Sequence, residues 1–203
     1  MPRLRIPHRP TVSLLRDVQG AALLEFAISL PLLVVFIVGI YDFSGAFNQK
    51  QKIEQAAQEG AIIAGAQPTS DIASPSAPDS LLPVVAVVYN SLVGSGVLPT
   101  GTCSPPGAAS GPTGLAWTYK ISGCPDQLVI TINRGCLCAS GPVCTAVPCG
   151  PGPPVPAVVD TMVTVTYPYH WRFGSVIQLL FPGPNGYLTP TQVTESATVH
   201  NQM

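Results

Sequence analysis

A single acidic residue lies at the start of a long apolar segment near the amino terminus. Residues 21–40 contain Glu25 as their only charged residue, and about 20 apolar residues are the length that a helix needs to cross a bilayer. A charge inside a membrane helix is unfavourable, and such residues usually have a function. Gly20 precedes the segment, and residues 1–20 carry a net charge of +3. Because basic residues favour the cytoplasmic side, this leader is predicted to stay in the cytoplasm.

The length of the apolar segment argues against a cleaved secretory signal. Such a signal has an apolar region of about 7–15 residues with a cleavage site close behind it. Here the nearest small-residue site, Ala64-Gly65-Ala66, lies more than 20 residues beyond the segment. We therefore predict that the segment remains as an anchor and that the rest of the chain is extracytoplasmic. From the pattern alone, an ordinary signal anchor with a stray acid remains the alternative.

The helical pattern continues to residue 66. At 1.5 Å per residue, residues 21–66 would extend over roughly 69 Å, so the second half should project beyond the bilayer. Pro31 should bend this helix without ending it. In the outer half, Ala56, Gly60 and Ala64 form a row of small residues, and such a row permits the close approach of another backbone. It could pack on the chain's own body or on a partner helix, and the partner interface is our working hypothesis.

The remainder of the chain has the pattern of a small α+β domain. Residues 67–80 have the composition of a linker. Ser80 is a candidate N-cap for a short helix over about 81–92, although its apolar middle would also suit a strand. Alternating β-branched segments predict four strands. These strands are expected at 115–121, 128–132, 158–169 and 193–199. The long connections between them favour an antiparallel sheet with excursions, among them a cysteine-rich loop at 135–156.

The predicted organisation therefore has four parts, and the fold class is α+β, with a long N-terminal helix followed by a small antiparallel sheet. The parts are a leader (1–20), a transmembrane and amphipathic helix (21–66), a linker (67–80) and an extracytoplasmic domain (81–203).

Six cysteines follow the apolar segment. An even number in an exported, loop-rich region predicts disulfides, for which 15 pairings are possible. Metal binding is the rival interpretation, but the closely spaced cysteines lack the usual CxxC spacing and have no histidine nearby. We therefore predict three disulfides and no metal site, and we expect no direct bridge between Cys136 and Cys138 because one intervening residue would strain it. The candidates are Cys103, Cys124, Cys136, Cys138, Cys144 and Cys149.

No motif in the sequence predicts catalysis. The nucleophile elbow, the P-loop, the zinc-protease motif and the dinucleotide fingerprint are all missing from the sequence. His170, beside Trp171, is interpreted as a structural residue. The charge is not basic enough to indicate a nucleic-acid partner. We predict no enzyme activity, no cofactor and no small-molecule substrate, and an exported thiol or metal enzyme is the weakest alternative.

The N-terminal segment resembles the TadE family of minor pilins from tight-adherence, Flp-type pilus systems. In a type IV prepilin site, a peptidase cuts after the glycine and the fifth residue of the mature chain is glutamate. Cleavage between Gly20 and Ala21 would make Glu25 that fifth residue. The match covers about a quarter of the chain. The residues that carry it are Gly20, Glu25-Phe26-Ala27, Leu30-Pro31-Leu32, Gly39-Ile40, Asp42-Phe43 and Ala56-Ala57-Gln58-Glu59-Gly60-Ala61.

This resemblance implies a minor pilin or pseudopilin that takes part in assembling or priming the pilus. The implied partners are a companion minor pilin, the major pilin, the assembly platform and a prepilin peptidase. The implied location is the bacterial inner membrane, with one span and a cytoplasmic N-terminus, and later the pilus itself. The resemblance also implies that the freed amine of a neighbouring subunit neutralises Glu25. The alternative is an uncleaved single-pass anchor that displays a disulfide-rich binding module.

Overall fold

The computed structural model describes most of the chain from residue 18 onward, and the residues form two units. The described residues are 18–68, 70–71, 77–101, 103–104, 107–113, 115–137, 145–146, 159–174, 178, 183 and 189–202. One unit comprises Met1–Tyr41 and the other Asp42–Met203. Each unit is described by itself.

Helix α1 extends from Val18 to Gly65 and contributes to both units. In the first unit its apolar side chains are exposed, including Leu23 at 70% and Phe26 at 61%. Within the described part of the chain, α1 is the one helix that is long and apolar enough to cross a membrane. Pro31 lies inside it, so the proline does not end the helix, as predicted.

The second unit contains an antiparallel sheet. Its strands are β1 (Ser110–Thr113), β2 (Ala116–Ile121), β3 (Leu128–Leu137), β4 (Thr145–Ala146), β5 (Val159–Tyr169) and β6 (Thr191–His200). The strand order is β1-β2-β3-β5-β6, and the short β4 pairs with the end of β3. Strand β6 therefore pairs with β5 along one side and forms an edge of the sheet. The predicted α+β class, with a long helix and a small antiparallel sheet, is confirmed.

The core lies between one face of this sheet and the helices. Successive side chains of a strand point to opposite faces, and in β5 Val163 and Val165 are fully buried while the alternating Thr164 and Thr166 are partly exposed. A short 3-10 helix, η1 (Asp79–Leu81), leads into α2 (Leu82–Gly94). The buried side of α2 packs with the outer part of α1 and with the strands in one hydrophobic cluster.

Most predicted elements are present with shifted ends, and three predictions are wrong. Strand β3 continues to Leu137, five residues beyond its predicted end. Strand β1 lies outside the four predicted strands, and β4 lies within the loop predicted at 135–156. Ser80 does not cap α2, because the N-cap is Leu81 and no side chain bonds there. The Ser80 hydroxyl instead bonds to Asp71.

One disulfide, between Cys103 and Cys124, joins the segment before β1 to the connection between β2 and β3. The cysteines at 138, 144 and 149 lie outside the described residues, and only the backbone of Cys136 is described. The prediction of three disulfides is therefore supported by one pair and otherwise stays a prediction.

Candidate functional site

The three residues of the predicted processing site lie within helix α1. Gly20, Ala21 and Glu25 are exposed, and a side chain at Gly20 would meet no atom within 4 Å. The helix begins at Val18, two residues before the predicted cleavage point. Cleavage after Gly20 and the pairing of Glu25 with a neighbouring amine both remain predictions.

The small-residue row lies in the core of the second unit. Ala56 and Ala64 are fully buried, and a Cβ atom added to Gly60 would overlap Cγ2 of Val88 in α2 and would lie 3.4 Å from Val163 in β5. This corrects the expected assignment of the row to a partner interface, since its atoms are not accessible to another subunit. The sequence left two packing alternatives open, and in the structure the small-residue row packs against the chain's own body.

Asp42, one of the residues that carry the family resemblance, is a buried junction residue, and the sequence did not predict its burial or its partners. It is only 2% exposed, and its two carboxylate oxygens accept hydrogen bonds from the backbone N–H groups of Arg172 (3.0 Å) and Phe173 (3.1 Å). The Tyr169 hydroxyl donates to the backbone carbonyl of Asp42 at 3.1 Å. These bonds join α1 to the end of β5.

Gly45 permits this junction. It lies three residues after Asp42, on the same face of the helix. A Cβ atom at position 45 would lie 2.6 Å from the Tyr169 hydroxyl, so a larger residue would displace the tyrosine. In the sequence, the only local indication of this contact is the three-residue spacing of Asp42 and Gly45 on one helix face. The residues that bond to Asp42 lie about 130 positions further along the chain, too far for sequence spacing to predict the contact.

A shallow groove with aromatic walls lies beside the junction, between α1 and β6. Its volume is about 330 Å³. Phe43 and Phe47, one helical turn apart, are 67% and 52% exposed. Trp171 stacks edge-on against Tyr169 at 5.3 Å, and its ring N–H donates to the Thr191 hydroxyl. The groove is lined by Phe43, Ala46, Phe47, Lys50, Tyr169, Trp171, Thr191, Gln192, Val193, Thr194 and Glu195.

A buried arginine holds the segment between α1 and α2. The Arg134 side chain donates to the carbonyls of Gln67 and Pro68, both at 2.9 Å, and to the Ser80 hydroxyl at 3.0 Å. Burial lowers the pKa of Arg134, and the nearby charge of Asp71 acts in the opposite direction. The segment predicted as a linker is therefore fixed to β3 at both ends.

Asp71 completes this cluster. Its carboxylate accepts hydrogen bonds from both the N–H and the hydroxyl of Ser80, each at 3.0 Å. Burial alone would raise the pKa of Asp71, but the bonds from Ser80 and the charge of Arg134 outweigh it. The net result is a pKa below the ordinary value of 3.8.

The histidines outside the leader each contact an acid. His170 Nε2 lies 2.7 Å from Asp126 Oδ2, and His200 Nδ1 is paired with Asp160 Oδ1. Within the described residues, no group of three or more His, Cys, Asp or Glu side chains could hold a metal ion.

A single apolar helix near the amino terminus, followed by a small α+β body, supports a membrane-anchored protein. Residues 20–61 match the family model described as TadE-like protein. The match confirms the resemblance for this segment, about a fifth of the chain, which contains Gly20, Glu25 and two members of the small-residue row, Ala56 and Gly60. Comparisons with curated proteins and with solved structures gave no match. The helix and the match together fit a membrane-anchored component of a Tad pilus.

Proposed function

We propose that the chain is a minor pilin or pseudopilin of a tight-adherence, type IV-like pilus. It is anchored in the bacterial inner membrane by α1, with its body extracytoplasmic, and it takes part in assembling or priming the filament. The observation that carries this proposal is that the TadE-like match at 20–61 begins on the apolar, exposed part of α1, the part that is long enough to cross a membrane. Its proposed partners are a companion minor pilin, the major pilin, the assembly platform and a prepilin peptidase.

Processing has a physical purpose in this proposal. Cleavage between Gly20 and Ala21 removes the basic leader and creates a new α-amino group. An ordinary α-amine has a pKa of about 7.7–8.0, so it carries a positive charge at neutral pH. A carboxylate at the centre of a membrane costs about 2.5–3.5 kcal/mol, and less near an edge. When the subunit enters a filament, Glu25 pairs with the amine of a neighbouring subunit, and this pairing offsets the cost of leaving the membrane edge.

The first test is the intact mass of the protein extracted from membranes of cells with an active prepilin peptidase. We expect the mass of residues 21–203, and we expect a Gly20→Lys variant to keep its leader. If the unaltered chain also keeps its leader, cleavage does not occur. The uncleaved anchor that displays a disulfide-containing module is then the better assignment.

The second test separates membrane insertion from assembly. We expect Glu25→Ala to leave the amount of protein in the membrane unchanged, or slightly raised, because a charge is removed from the span. Surface pili should be lost. Glu25→Gln, which keeps the shape but not the charge, should also fail. Ser29→Ala is the matched control one turn further along, where the hydroxyl bonds to the Phe26 carbonyl of its own helix. Loss of Glu25→Ala protein from the membrane would instead indicate a folding role for the acid.

A further inference from the structure

The charges of α1 do not fix the outer end of its membrane segment at Asp42. Between Glu25 and Lys50, Asp42 is the only charged residue. Its carboxylate does not face outward, because both oxygens accept backbone N–H groups from the body. A charge that is hydrogen-bonded inside the protein loses little when its surroundings become apolar, whereas a free charge loses its hydration. Asp42 therefore does not require the helix to leave the bilayer at position 42.

The outward surface of α1 after Asp42 carries exposed aromatic rings, together with the uncharged polar side chains of Ser44 and Asn48. Phe43 and Phe47 expose more than half of their surface, and Trp171 lies beside them across the groove. The first exposed charge on this part of the helix is Lys50, whose amine lies 3.5 Å from Glu195. Aromatic rings concentrate at the boundary between lipid and water, and a lysine at that level can extend its amine towards water.

We propose that Phe43, Phe47 and Trp171 form a lipid-contact patch that rests on the outer surface of the membrane that α1 spans. The inference rests on the proposed anchoring of the chain. The occupant is lipid because the patch continues the apolar segment along α1, where no exposed charge lies between them. Phe43 follows Tyr41 by two positions in one helix. The residues from Phe26 to Gln49 would extend over roughly 36 Å of helix, enough for the hydrocarbon layer of about 30 Å and one headgroup layer.

The two tryptophans of the chain provide an internal control for a quenching experiment. Trp117 is fully buried in the core, whereas Trp171 belongs to the patch. The full chain is reconstituted into phosphatidylethanolamine and phosphatidylglycerol vesicles, with phosphatidylcholine brominated either near the headgroup or near the chain end. In a Trp117→Phe variant, we expect the emission of Trp171 to be quenched strongly, and more by bromine near the headgroup. In a Trp171→Phe variant, the emission of Trp117 should be unchanged.

Substitutions in the patch test whether the two phenylalanines hold Trp171 against lipid. Phe43→Ser with Phe47→Ser should reduce the quenching of Trp171. Ile62→Ser removes an equally exposed apolar side chain (64%) from the same helix, fifteen positions beyond Phe47, and it should leave the quenching unchanged. The same substitutions made in the Trp171→Phe chain should leave the emission maximum of Trp117 unchanged, which shows that the core is still folded.

Two failures can be told apart. If the chain resists alkaline carbonate extraction but Trp171 is not quenched, the lipid-contact patch is wrong while the membrane anchor stands. The patch is also wrong if Trp171 escapes lipid quenching and becomes shielded from acrylamide only with a companion subunit, because its occupant is then protein. If carbonate extracts the chain, the proposed anchoring itself fails.

Discussion

At the scale of single residues, two buried charged side chains hold together segments that are distant in sequence. Asp42 joins α1 to the residues after β5, and Arg134 joins β3 to the segment between α1 and α2. Removing one partner from a buried polar contact leaves the other unsatisfied, and this costs more than the bond contributes. The two junctions should therefore be sensitive to substitution, although neither belongs to the predicted processing site.

Replacement of Asp42 tests the first junction. Asp42→Ala leaves two backbone N–H groups without acceptors, so we expect a loss of about 1–3 kcal/mol for each of them. Asp42→Asn keeps one acceptor oxygen and should lose less. The measurement is denaturant unfolding of the full chain in detergent, followed by tryptophan emission. Asp79→Ala is the control, because Asp79 is exposed. Equal stabilities for Asp42→Ala and Asp79→Ala would contradict this account of the junction.

Asp71 predicts a dependence of stability on pH. Burial raises its pKa, but the bonds from Ser80 and the charge of Arg134 together outweigh this effect and lower the folded-state pKa below 3.8. The unfolded chain therefore takes up the proton first. The contribution of Asp71 is complete above the unfolded-state pKa and is lost as the pH falls through the lower folded-state value.

The free energy of unfolding, measured from neutral pH to about pH 2, should fall less steeply for Asp71→Asn than for the unaltered chain. Asp79→Asn serves as the exposed control. If the free energy of unfolding falls equally at low pH for the Asp71→Asn protein and the unaltered protein, the bonds from Ser80 do not contribute to stability.

At the scale of helices and strands, the sequence predicted periodic elements well and irregular ones poorly. Alternation of β-branched residues located β2, β3, β5 and β6. Strand β1 was not predicted because Gly111-Pro112 is typical of a turn. Strand β4 was not predicted because two residues are too few to show an alternating pattern. The small-residue face of α1 was also visible, but spacing alone does not say whether a close-packed face meets another subunit or the chain's own sheet.

A substitution at Gly60 tests how closely the small-residue face of α1 packs against α2. Alanine is favoured over glycine by about 1 kcal/mol inside a helix, so propensity alone predicts that Gly60→Ala is mild or stabilising. However, the added methyl group would overlap fully buried Val88, and overpacking a core costs about 1–3 kcal/mol. We expect a net loss of stability in thermal unfolding. Val88→Ala in the same chain should recover part of the loss.

Gly94→Ala is the matched control, because nothing lies within 4 Å of the added atom there. It should leave the melting temperature close to that of the unaltered chain. A higher melting temperature for Gly60→Ala, with intact folding, would mean that α1 and α2 are less tightly packed at this point than the structure has them.

At the scale of the whole molecule, the predictable part of the candidate site is the part encoded locally. The apolar length, the leader charge, Gly20 and Glu25 all lie within one short stretch, so their pattern could be recognised without a fold. Asp42 and Arg134 could not be interpreted in this way, because their partners are 127 and 66 residues away. Only the folded chain shows that the carboxylate of Asp42 is hydrogen-bonded inside the protein, and the lipid-contact patch depends on that burial.

The disulfide between Cys103 and Cys124 should constrain the body as a whole. It ties the segment before β1 to the connection between β2 and β3, and the Tyr89 hydroxyl of α2 bonds to the Cys103 carbonyl beside it. Removing a native disulfide from a small exported domain typically costs about 2–5 kcal/mol. We expect that loss in denaturant unfolding of a Cys103→Ser, Cys124→Ser chain. Mass spectrometry of unreduced, alkylated peptides should recover the two cysteines linked. Alkylation of all six thiols in unreduced protein would refute this bridge and the wider prediction of three.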